Sequence, residues 1–376
     1  MNFIKYDVRT LENNRNALRV GDPRLTAAYN RLIELANELL LATPPTVTDK
    51  TVPPPSGDKR DYTSLSRFWW PNPDTPDGLP YIRRDGVTNP AINDFDRPRM
   101  GKFTHATSVL AWAYFFSGEE KYAKKAVEFL YVWFVNQDTR MNPNMRFGQF
   151  VPGRNEGRPM GILDAYGMIN VVDALRILET SNVFPEDYQR TIQAWFSEFV
   201  YWLETHPNGV GQRASRNNHG TAFDVQMAAF YRFIGRDEDA KRVIVEFPER
   251  RIFAQIEPDG RQPLELARTL AFFYSVYNLG KMLDMSEIAQ NMNVNLFDAV
   301  SPDGRSIRQA LDFLVPYLGQ DQSHWPYQQI SGWNSAQTIL ARLMVRADQF
   351  VSGQNYAELG NVFLSEMPIH WRTLLR

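Results

Sequence analysis

Cysteine is absent from the chain of 376 residues, and neither sign of charge is in clear excess. The first absence excludes a disulfide, a thiolate-bound metal and a cysteine nucleophile. Lysine and arginine number 41 against 43 acidic residues, which gives a formal net charge of −2. We therefore expect neither nucleic acid nor an anionic membrane as a partner, because both are attracted chiefly by positive charge.

Long hydrophobic runs and several catalytic motifs are also missing. No run of about 18 apolar residues occurs, so no membrane span is expected. Residues 1–7 lack the apolar core of a signal peptide, so the sequence as given is expected to carry none. No Gly-x-Ser-x-Gly turn or phosphate-binding Gly-Lys-Ser/Thr loop is found, and the histidines show no ligand spacing. We therefore expect no metal site.

The apolar residues that are present indicate a mostly α fold. Glycine and proline fall between segments of helical period, and alternating β-branched runs are scarce. Helix pairs recur about every 40–50 residues, as in solenoids and toroids. The predicted helices cover residues 8–20, 24–42, 102–116, 119–136, 161–180, 185–205, 219–234, 237–247, 262–284, 304–318, 333–347 and 354–366.

Two long irregular stretches interrupt the helices, at residues 43–98 and 138–160. The first is rich in proline and contains Trp69, Trp70 and Tyr81. A loop of this length inside a compact domain is usually functional, and a disordered linker seldom carries so many aromatic rings. We therefore predict an ordered loop folded onto the body. The 24 Phe, 16 Tyr and 9 Trp of the chain suit sugar-binding surfaces and helical cores alike.

A short polar turn at residues 216–221 precedes an apolar helical run. Asn217 or Asn218 is predicted to cap this helix, whose N-terminus would favour a carboxylate-bearing ligand. His219 follows directly and titrates near neutral pH, so it is a candidate for proton transfer. The alternative is a simple cap followed by a structural histidine.

Five segments in this order resemble the alginate lyase family. They are residues 61–73 (DYTSLSRFWWPNP), 77–90 (DGLPYIRRDGVTNP), 152–164 (PGRNEGRPMGILD), 217–221 (NNHGT) and 257–275 (EPDGRQPLELARTLAFFYS). The resemblance spans about residues 20–340. It implies one domain over residues 1–376, built as an (α/α) toroid or incomplete barrel, with the 43–98 loop lying over a cleft.

The resemblance also implies β-elimination in a uronic-acid polysaccharide, most of all alginate, without a metal or an organic cofactor. Such a reaction requires neutralisation of the C6 carboxylate, removal of the C5 proton and protonation of the departing O4. A polymeric substrate outside the cell membrane implies a periplasmic or secreted protein.

By the same resemblance, Asn217 or Asn218 neutralises the carboxylate with help from Arg268. His219 is a base or a carboxylate partner, and Tyr274 donates the proton to O4 and is also a candidate base. If C5–H and O4 lie on one face of the sugar, as in mannuronate, a tyrosine doing both jobs is favoured. If they lie on opposite faces, as in guluronate, His219 is favoured as the base. The sequence leaves both open.

The spacing of Arg268 and Tyr274 does not fit one straight helix. At 3.6 residues per turn the two positions lie about 120° apart. Either the helix is irregular there or one of the two residues lies outside the site, with Tyr277 as the reserve acid. The alternatives are an Arg268 pair with Glu265 and a core position for Tyr274.

Further candidates would bind the polymer. Aromatic rings stack on sugars and guanidinium groups bind carboxylates, although the tryptophans would equally anchor the loop. The binding candidates are Arg67, Trp69, Trp70, Tyr81, Arg154, Asn155 and Arg158, with Arg83 and Arg84 beside them.

Two other functions remain open at this point. A glycoside hydrolase would require two carboxylates flanking the bond, for which Asp61, Asp85, Asp164 and Asp224 are present without an evident pairing. A binding protein would hold an oligouronate without forming a product. A lyase differs from both because its unsaturated product absorbs in the near ultraviolet.

Overall fold

The computed structural model describes residues 1–350 and 356–376, and the chain is mostly helical, as predicted. The α-helices are α1 (Val8–Arg19), α2 (Pro23–Leu40), α3 (Arg97–Ser117), α4 (Glu120–Leu130), α5 (Met168–Leu178), α6 (Glu186–Thr205), α7 (Pro207–Arg213), α8 (Asn218–Phe233), α9 (Asp237–Phe247), α10 (Phe253–Gln255), α11 (Pro263–Leu266), α12 (Ala271–Gln290), α13 (Ile307–Leu314), α14 (Trp333–Ala347) and α15 (Tyr356–Leu364). Two π-helical turns, Tyr131–Val135 and Pro248–Ile252, continue α4 and α9.

These helices form two layers of an α/α toroid. In the inner layer α3 packs on α5, α5 on α8, α8 on α12 and α12 on α14. In the outer layer α4 packs on α3, α9 on α8, α13 on α12 and α15 on α14. Fourteen of the sixteen residues of α8 are buried against three of eleven in α9, which is the contrast expected between an inner and an outer helix.

Short strands organise the long irregular stretches. They are β1 (Thr63–Leu65), β2 (Trp69–Trp70), β3 (Ile82–Arg83) and β4 (Phe147–Phe150). β1 pairs in parallel with β4, and β2 pairs antiparallel with β3. The two stretches, which the sequence left irregular, are therefore hydrogen-bonded to each other.

A buried ion pair fixes the first stretch to α3. Lys50 Nζ lies 2.7 Å from Asp96 Oδ2, and both side chains are fully buried. The same ammonium donates to the carbonyl oxygen of Lys59 at 2.6 Å. Because a buried charge requires a partner, this contact holds the loop to the residue that precedes α3.

The single helix predicted over residues 262–284 is wrong, because the chain breaks between α11 and α12. There Ile330 N–H donates to the Thr269 carbonyl oxygen at 3.0 Å, and Ala271 N–H donates to the Gln328 carbonyl oxygen at 2.9 Å. These bonds to residues 328–330 replace the helical ones.

Other boundaries also differ from the expected ones. Residues 159–167 form a 3₁₀ segment before α5, and the helix predicted over 304–318 is shortened to α13 followed by a 3₁₀ turn. Helix α7 was not predicted. Of the predicted helix 354–366, positions 354 and 355 lie outside the described residues.

Candidate active site

The turn before α8 presents the first candidate residues. The side-chain oxygen of Asn217 accepts the His219 backbone N–H at 3.2 Å, which confirms the N-cap predicted at Asn217 or Asn218. The partial positive charge of the α8 N-terminus therefore lies beside His219, where it favours a carboxylate.

Gly220 allows this turn to approach its neighbours closely. A Cβ here would lie 2.0 Å from the Ser215 carbonyl oxygen and 2.3 Å from Arg251 Nη1. Arg251 is buried, binds Asp224 through Nε at 2.7 Å and donates to the Ser215 carbonyl oxygen. This arginine thus fixes the backbone that presents residues 217–219.

Asn218 is buried and held by Glu265. Its backbone N–H and its Nδ2 each donate to one carboxylate oxygen of Glu265, both at 2.7 Å. Burial raises the pKa of Glu265 to about 7. Asn218 Oδ1 has no partner within the described residues.

His219 is oriented by Gln212 of α7. Gln212 Nε2 lies 3.3 Å from the His219 carbonyl oxygen and 3.2 Å from Nδ1. Since the carbonyl oxygen only accepts, the amide nitrogen must face His219, and Nδ1 then accepts from it. The neutral imidazole therefore carries its proton on Nε2. Burial, with the charges of Arg158 and Arg268, lowers the pKa of His219 to about 4, so the ring is neutral at neutral pH.

Arg268 and Tyr274 meet at the break between α11 and α12. The guanidinium carbon lies 3.9 Å from the Tyr274 ring centroid, and Asp85 holds the same guanidinium through bonds of 2.7 and 3.0 Å. The irregular helix, one of the two possibilities left by the spacing, is thus confirmed. Within the described residues Arg268 pairs with Asp85, not with the side chain of Glu265. Burial raises the pKa of Tyr274, and Arg268 opposes that rise.

Tyr277, the reserve acid, lies about one turn further along α12. Its ring stacks on Phe273 with 5.7 Å between centroids, and Lys281 Nζ lies 4.1 Å from its centroid. Burial raises its pKa. Tyr274 is therefore the tyrosine in contact with Arg268, whereas Tyr277 packs against Lys281.

Two of the binding candidates, Arg154 and Arg158, lie over the ring of Trp69. The guanidinium carbons of Arg154 and Arg158 lie 5.0 and 5.8 Å from its ring centroid. Arg154 Nε also donates to the Tyr81 carbonyl oxygen at 2.9 Å. Burial lowers the pKa of Arg158 to about 10, and the charge of Arg158 in turn helps to lower the pKa of His219. The cluster therefore acts on the histidine through the charge of Arg158.

The other binding candidates form contacts within the loops. Arg67 Nε donates to Thr88 Oγ1 at 2.9 Å, and Asn155 Oδ1 accepts a backbone N–H of its own loop at 3.1 Å. Trp70 donates through Nε1 to a backbone carbonyl oxygen at 2.9 Å, with Arg84 5.0 Å from its ring centroid. These contacts stabilise the loops, and sugar binding by Arg67, Trp70 and Asn155 stays a prediction.

Gln149 was not anticipated from the sequence. It has a φ of 49°, which glutamine rarely adopts. Its Nε2 donates to Asp164 at 2.9 Å, and its Oε1 accepts from Arg158 at 3.3 Å. Tyr62 and Ser64 donate to the same carboxylate at 3.1 and 2.6 Å. Gln149 thus links the arginine beside Trp69 to a buried carboxylate, and strained backbone of this kind clusters at functional sites.

Neither a metal cluster nor a membrane-spanning helix is found in the part of the chain that the structure describes. No group of three or more His, Cys, Asp or Glu side chains is arranged to hold an ion. No described helix combines the length and the apolar character that crossing a bilayer requires.

Known proteins match the chain over most of its length. The family model described as "Alginate lyase" matches residues 46–325. The crystal structure of an alginate lyase from Bacteroides ovatus superposes with a TM-score of 0.97 at 42% sequence identity, covering 100% of this chain and 98% of that one. No curated protein matches.

More distant structures share the fold. Alginate lyase A1-III from Sphingomonas species A1 superposes with a TM-score of 0.58 at 15% identity, covering 95% of this chain and 92% of that one. A variant of A1-III complexed with a tetrasaccharide gives a TM-score of 0.61 at 15% identity, covering 93% and 88%. From the family match and the 42% identical structure, it follows that the chain belongs to the alginate lyase family.

Proposed function

We propose that the chain is a polysaccharide lyase that cleaves alginate by β-elimination, acting preferentially at mannuronate. The substrate class follows from its family and from the relatives named as alginate lyases. The preference rests on one observation, the contact of Gln212 Nε2 with His219 Nδ1, which places the imidazole proton on Nε2.

The first task of the site is to neutralise the C6 carboxylate of the sugar. Arg268 is held by Asp85 and supplies the guanidinium hydrogens that Asp85 does not use, and neutral His219 supplies an Nε2–H donor. Asn218 is fully buried and bound to Glu265, so it fixes the turn that presents His219, and its direct contact with the sugar carboxylate stays a prediction. Donors fixed before the reaction stabilise the enolate-like intermediate without reorganising during it.

The second task is the transfer of two protons, and Tyr274 performs both. An imidazole with its proton on Nε2 donates there and cannot accept the C5 proton at the same atom. The phenolate of Tyr274 removes the C5 proton, and the phenol so formed protonates O4 as the C4–O4 bond breaks. The products are a free 4-hydroxyl end and a sugar with a C4=C5 double bond. One residue serves both steps when C5–H and O4 share a face, as in mannuronate.

The carboxylates of the site favour a lyase over a hydrolase. Asp85 is bound to Arg268, Asp224 to Arg251, and Asp164 accepts from Gln149 and two hydroxyls. An inverting or retaining hydrolase requires one carboxyl group to donate a proton and another to act as base or nucleophile. Acceptors occupied in this way suit neither role.

The test is the growth of near-ultraviolet absorbance on polymannuronate, polyguluronate, mixed alginate and glucuronan. We expect signal on polymannuronate, reduced about 10²–10⁴-fold in Tyr274→Phe because proton transfer is lost. Tyr277→Phe is the matched control and is expected to retain activity. Absence of signal with every polymer, in folded protein, would refute the lyase assignment. Equal activity of Tyr274→Phe and wild type would remove Tyr274 from the mechanism.

His219 is tested by two substitutions on polymannuronate. Glutamine keeps a hydrogen-bond donor without basicity, whereas alanine removes both. We expect His219→Gln to be more active than His219→Ala. Equal loss in both, with a stronger wild-type signal on polyguluronate, would identify His219 as the base instead.

We also propose a periplasmic or secreted location, because a polymeric substrate of this kind lies outside the cytoplasmic membrane. Fractionation of the source cells, followed by immunodetection, tests the location. Recovery of the protein with the cytoplasmic fraction would refute it.

A further inference from the structure

A cavity lies between α12, α14 and the C-terminal segment, residues 361–376. Its volume is about 770 Å³, within the range of about 300–1,000 Å³ typical of small-molecule pockets. Lys281 and Gly280 line it from α12, and Arg342 and Leu343 line it from α14. Asn217, Asn218, His219, Arg268 and Tyr274 are not part of its lining, whereas Tyr277, the reserve acid, is.

Some of the cations in the lining are already neutralised. Asp284 lies 3.1 Å from Lys5 Nζ and 2.8 Å from Arg346 Nη2. Glu287 lies 3.0 Å from Arg346 and 2.7 Å from Arg376. These contacts form a closed network that needs no further anion.

Lys281 is different because it is buried with no carboxylate at ion-pair distance, although burial lowers its pKa and the charge of Asp284 opposes that change. Its exposed fraction is 9%, and its Nζ lies 3.6 Å from the Tyr166 ring centroid and 4.1 Å from that of Tyr277. Among the described residues no carboxylate lies within ion-pair distance of it and no hydrogen-bond acceptor is in contact with it. An ammonium held by two ring faces in this way retains unused donors directed at the cavity.

Arg342 and Arg372 add two more cations with no carboxylate partner in the described ranges. Burial and the charge of Arg372 lower the pKa of Arg342, which places like charges near each other. His370 lies in the C-terminal segment. Burial and the charges of Arg342 and Arg372 lower its pKa to about 4. Arg24 also lines the cavity and contacts only the amide oxygen of Asn361. The lining therefore holds four cations with no carboxylate at ion-pair distance in the described ranges, together with a neutral imidazole, and an anion would stabilise this arrangement.

The neutral lining residues indicate what kind of anion fits. Asn170, Asn361, Ser365 and Thr373 offer hydrogen bonds suited to hydroxyl groups. Apolar side chains complete the wall: Ile169, Val276, Ile339, Leu343, Leu364 and Ile369. Within the described lining the one glycine is Gly280 inside α12, not the glycine-rich backbone loop that cradles phosphate. Side-chain cations, hydroxyl partners and apolar walls together match a carboxylated sugar.

We propose that this cavity is a second binding site, for a short acidic oligosaccharide of about two uronate residues, held through Lys281, Arg342 and Arg372. The identity of the ligand rests on the proposed function, since such oligouronates are its products. The site itself rests on the uncompensated cations alone. Arg372 is exposed and marks the mouth of the cavity towards solvent.

The test is isothermal titration calorimetry with the unsaturated disaccharide of mannuronate. We expect two sites per chain in the wild type. Arg342→Gln and Lys281→Met should each weaken one of them at least about tenfold, because each removes a charged hydrogen bond. Arg19→Gln removes an exposed charge elsewhere and is expected to leave both sites intact. Arg342→Gln is also expected to leave polymannuronate cleavage within about twofold of wild type, since charge changes away from a site have small effects.

Failure of this proposal is distinguishable from failure of the lyase assignment. One site per chain, unaffected by Arg342→Gln and Lys281→Met, would overturn the second site even if cleavage is normal. Binding that is weakened by both substitutions would support the site even if no polymer is cleaved. Tighter binding of inorganic pyrophosphate than of the disaccharide, lost in Arg342→Gln, would overturn the oligouronate as ligand.

Discussion

Replacement of His219 by glutamine is expected to make the protein more resistant to acid. Burial and two nearby arginines lower the pKa of His219 to about 4, against an ordinary value of 6.5. When folding lowers the pKa of a group, the protein keeps its full stability at pH values above the pKa that the group has in the unfolded chain. As the pH falls from about 6.5 to about 4, the unfolded chain binds a proton that the folded chain does not, so stability is lost in that window. At about 1.4 kcal/mol per pKa unit, the loss is about 3 kcal/mol.

The assay is equilibrium unfolding in urea at pH 7 and at pH 4. The difference in the free energy of unfolding between the two pH values should be about 3 kcal/mol smaller in His219→Gln than in wild type. His324→Gln, which removes an exposed imidazole, is the matched control and should behave as wild type. If His219→Gln loses as much stability as wild type, His219 is not a half-buried neutral imidazole. Its role as an Nε2–H donor would then fail as well.

Three further substitutions test the scaffold and the binding cluster. Gly220→Ala should lower the free energy of unfolding by about 2 kcal/mol or more, because its Cβ would meet a backbone oxygen at 2.0 Å. Gly101→Ala is the control and should not be destabilising, because a Cβ there meets open space. Lys50→Met should lower the free energy of unfolding in urea by about 3–5 kcal/mol, because it leaves the buried Asp96 carboxylate unpaired. Lys59→Met at an exposed position is the control and should change that free energy little. Trp69→Ala should raise KM on polymannuronate with little change in kcat, if its ring binds substrate and transition state alike; an unchanged KM would exclude that role.

Helical period and capping chemistry made the helical fold predictable. The cap at Asn217 follows from the preference of asparagine for that position, and the inner helices follow from apolar residues on every face. The break between α11 and α12 was not predictable from position alone. It depends on backbone hydrogen bonds to residues 328–330, which are remote in sequence.

The candidate site was only partly predictable, because its residues are held by partners that are remote in sequence. Arg268 and Tyr274 were identified by resemblance, but their contact depends on that break. Glu265 was considered only as a partner of Arg268, whereas it holds Asn218 from 47 positions away. Gln212 lies in α7, whose opening Pro-Asn-Gly is typical of a turn. The signal available for this helix was Pro207, which occupies the first helical position after the cap residue His206.

The pH dependence of kcat/KM on polymannuronate, followed by near-ultraviolet absorbance, tests most directly whether Tyr274 is the base. Burial raises the pKa of Tyr274 above its ordinary value, so its deprotonated fraction rises about tenfold per pH unit through neutral pH. We therefore predict that kcat/KM increases with a slope of about one on logarithmic axes between about pH 6 and pH 9. A base at His219, with its pKa of about 4, would already be deprotonated throughout this range. A flat profile between these pH values would contradict the proposed mechanism.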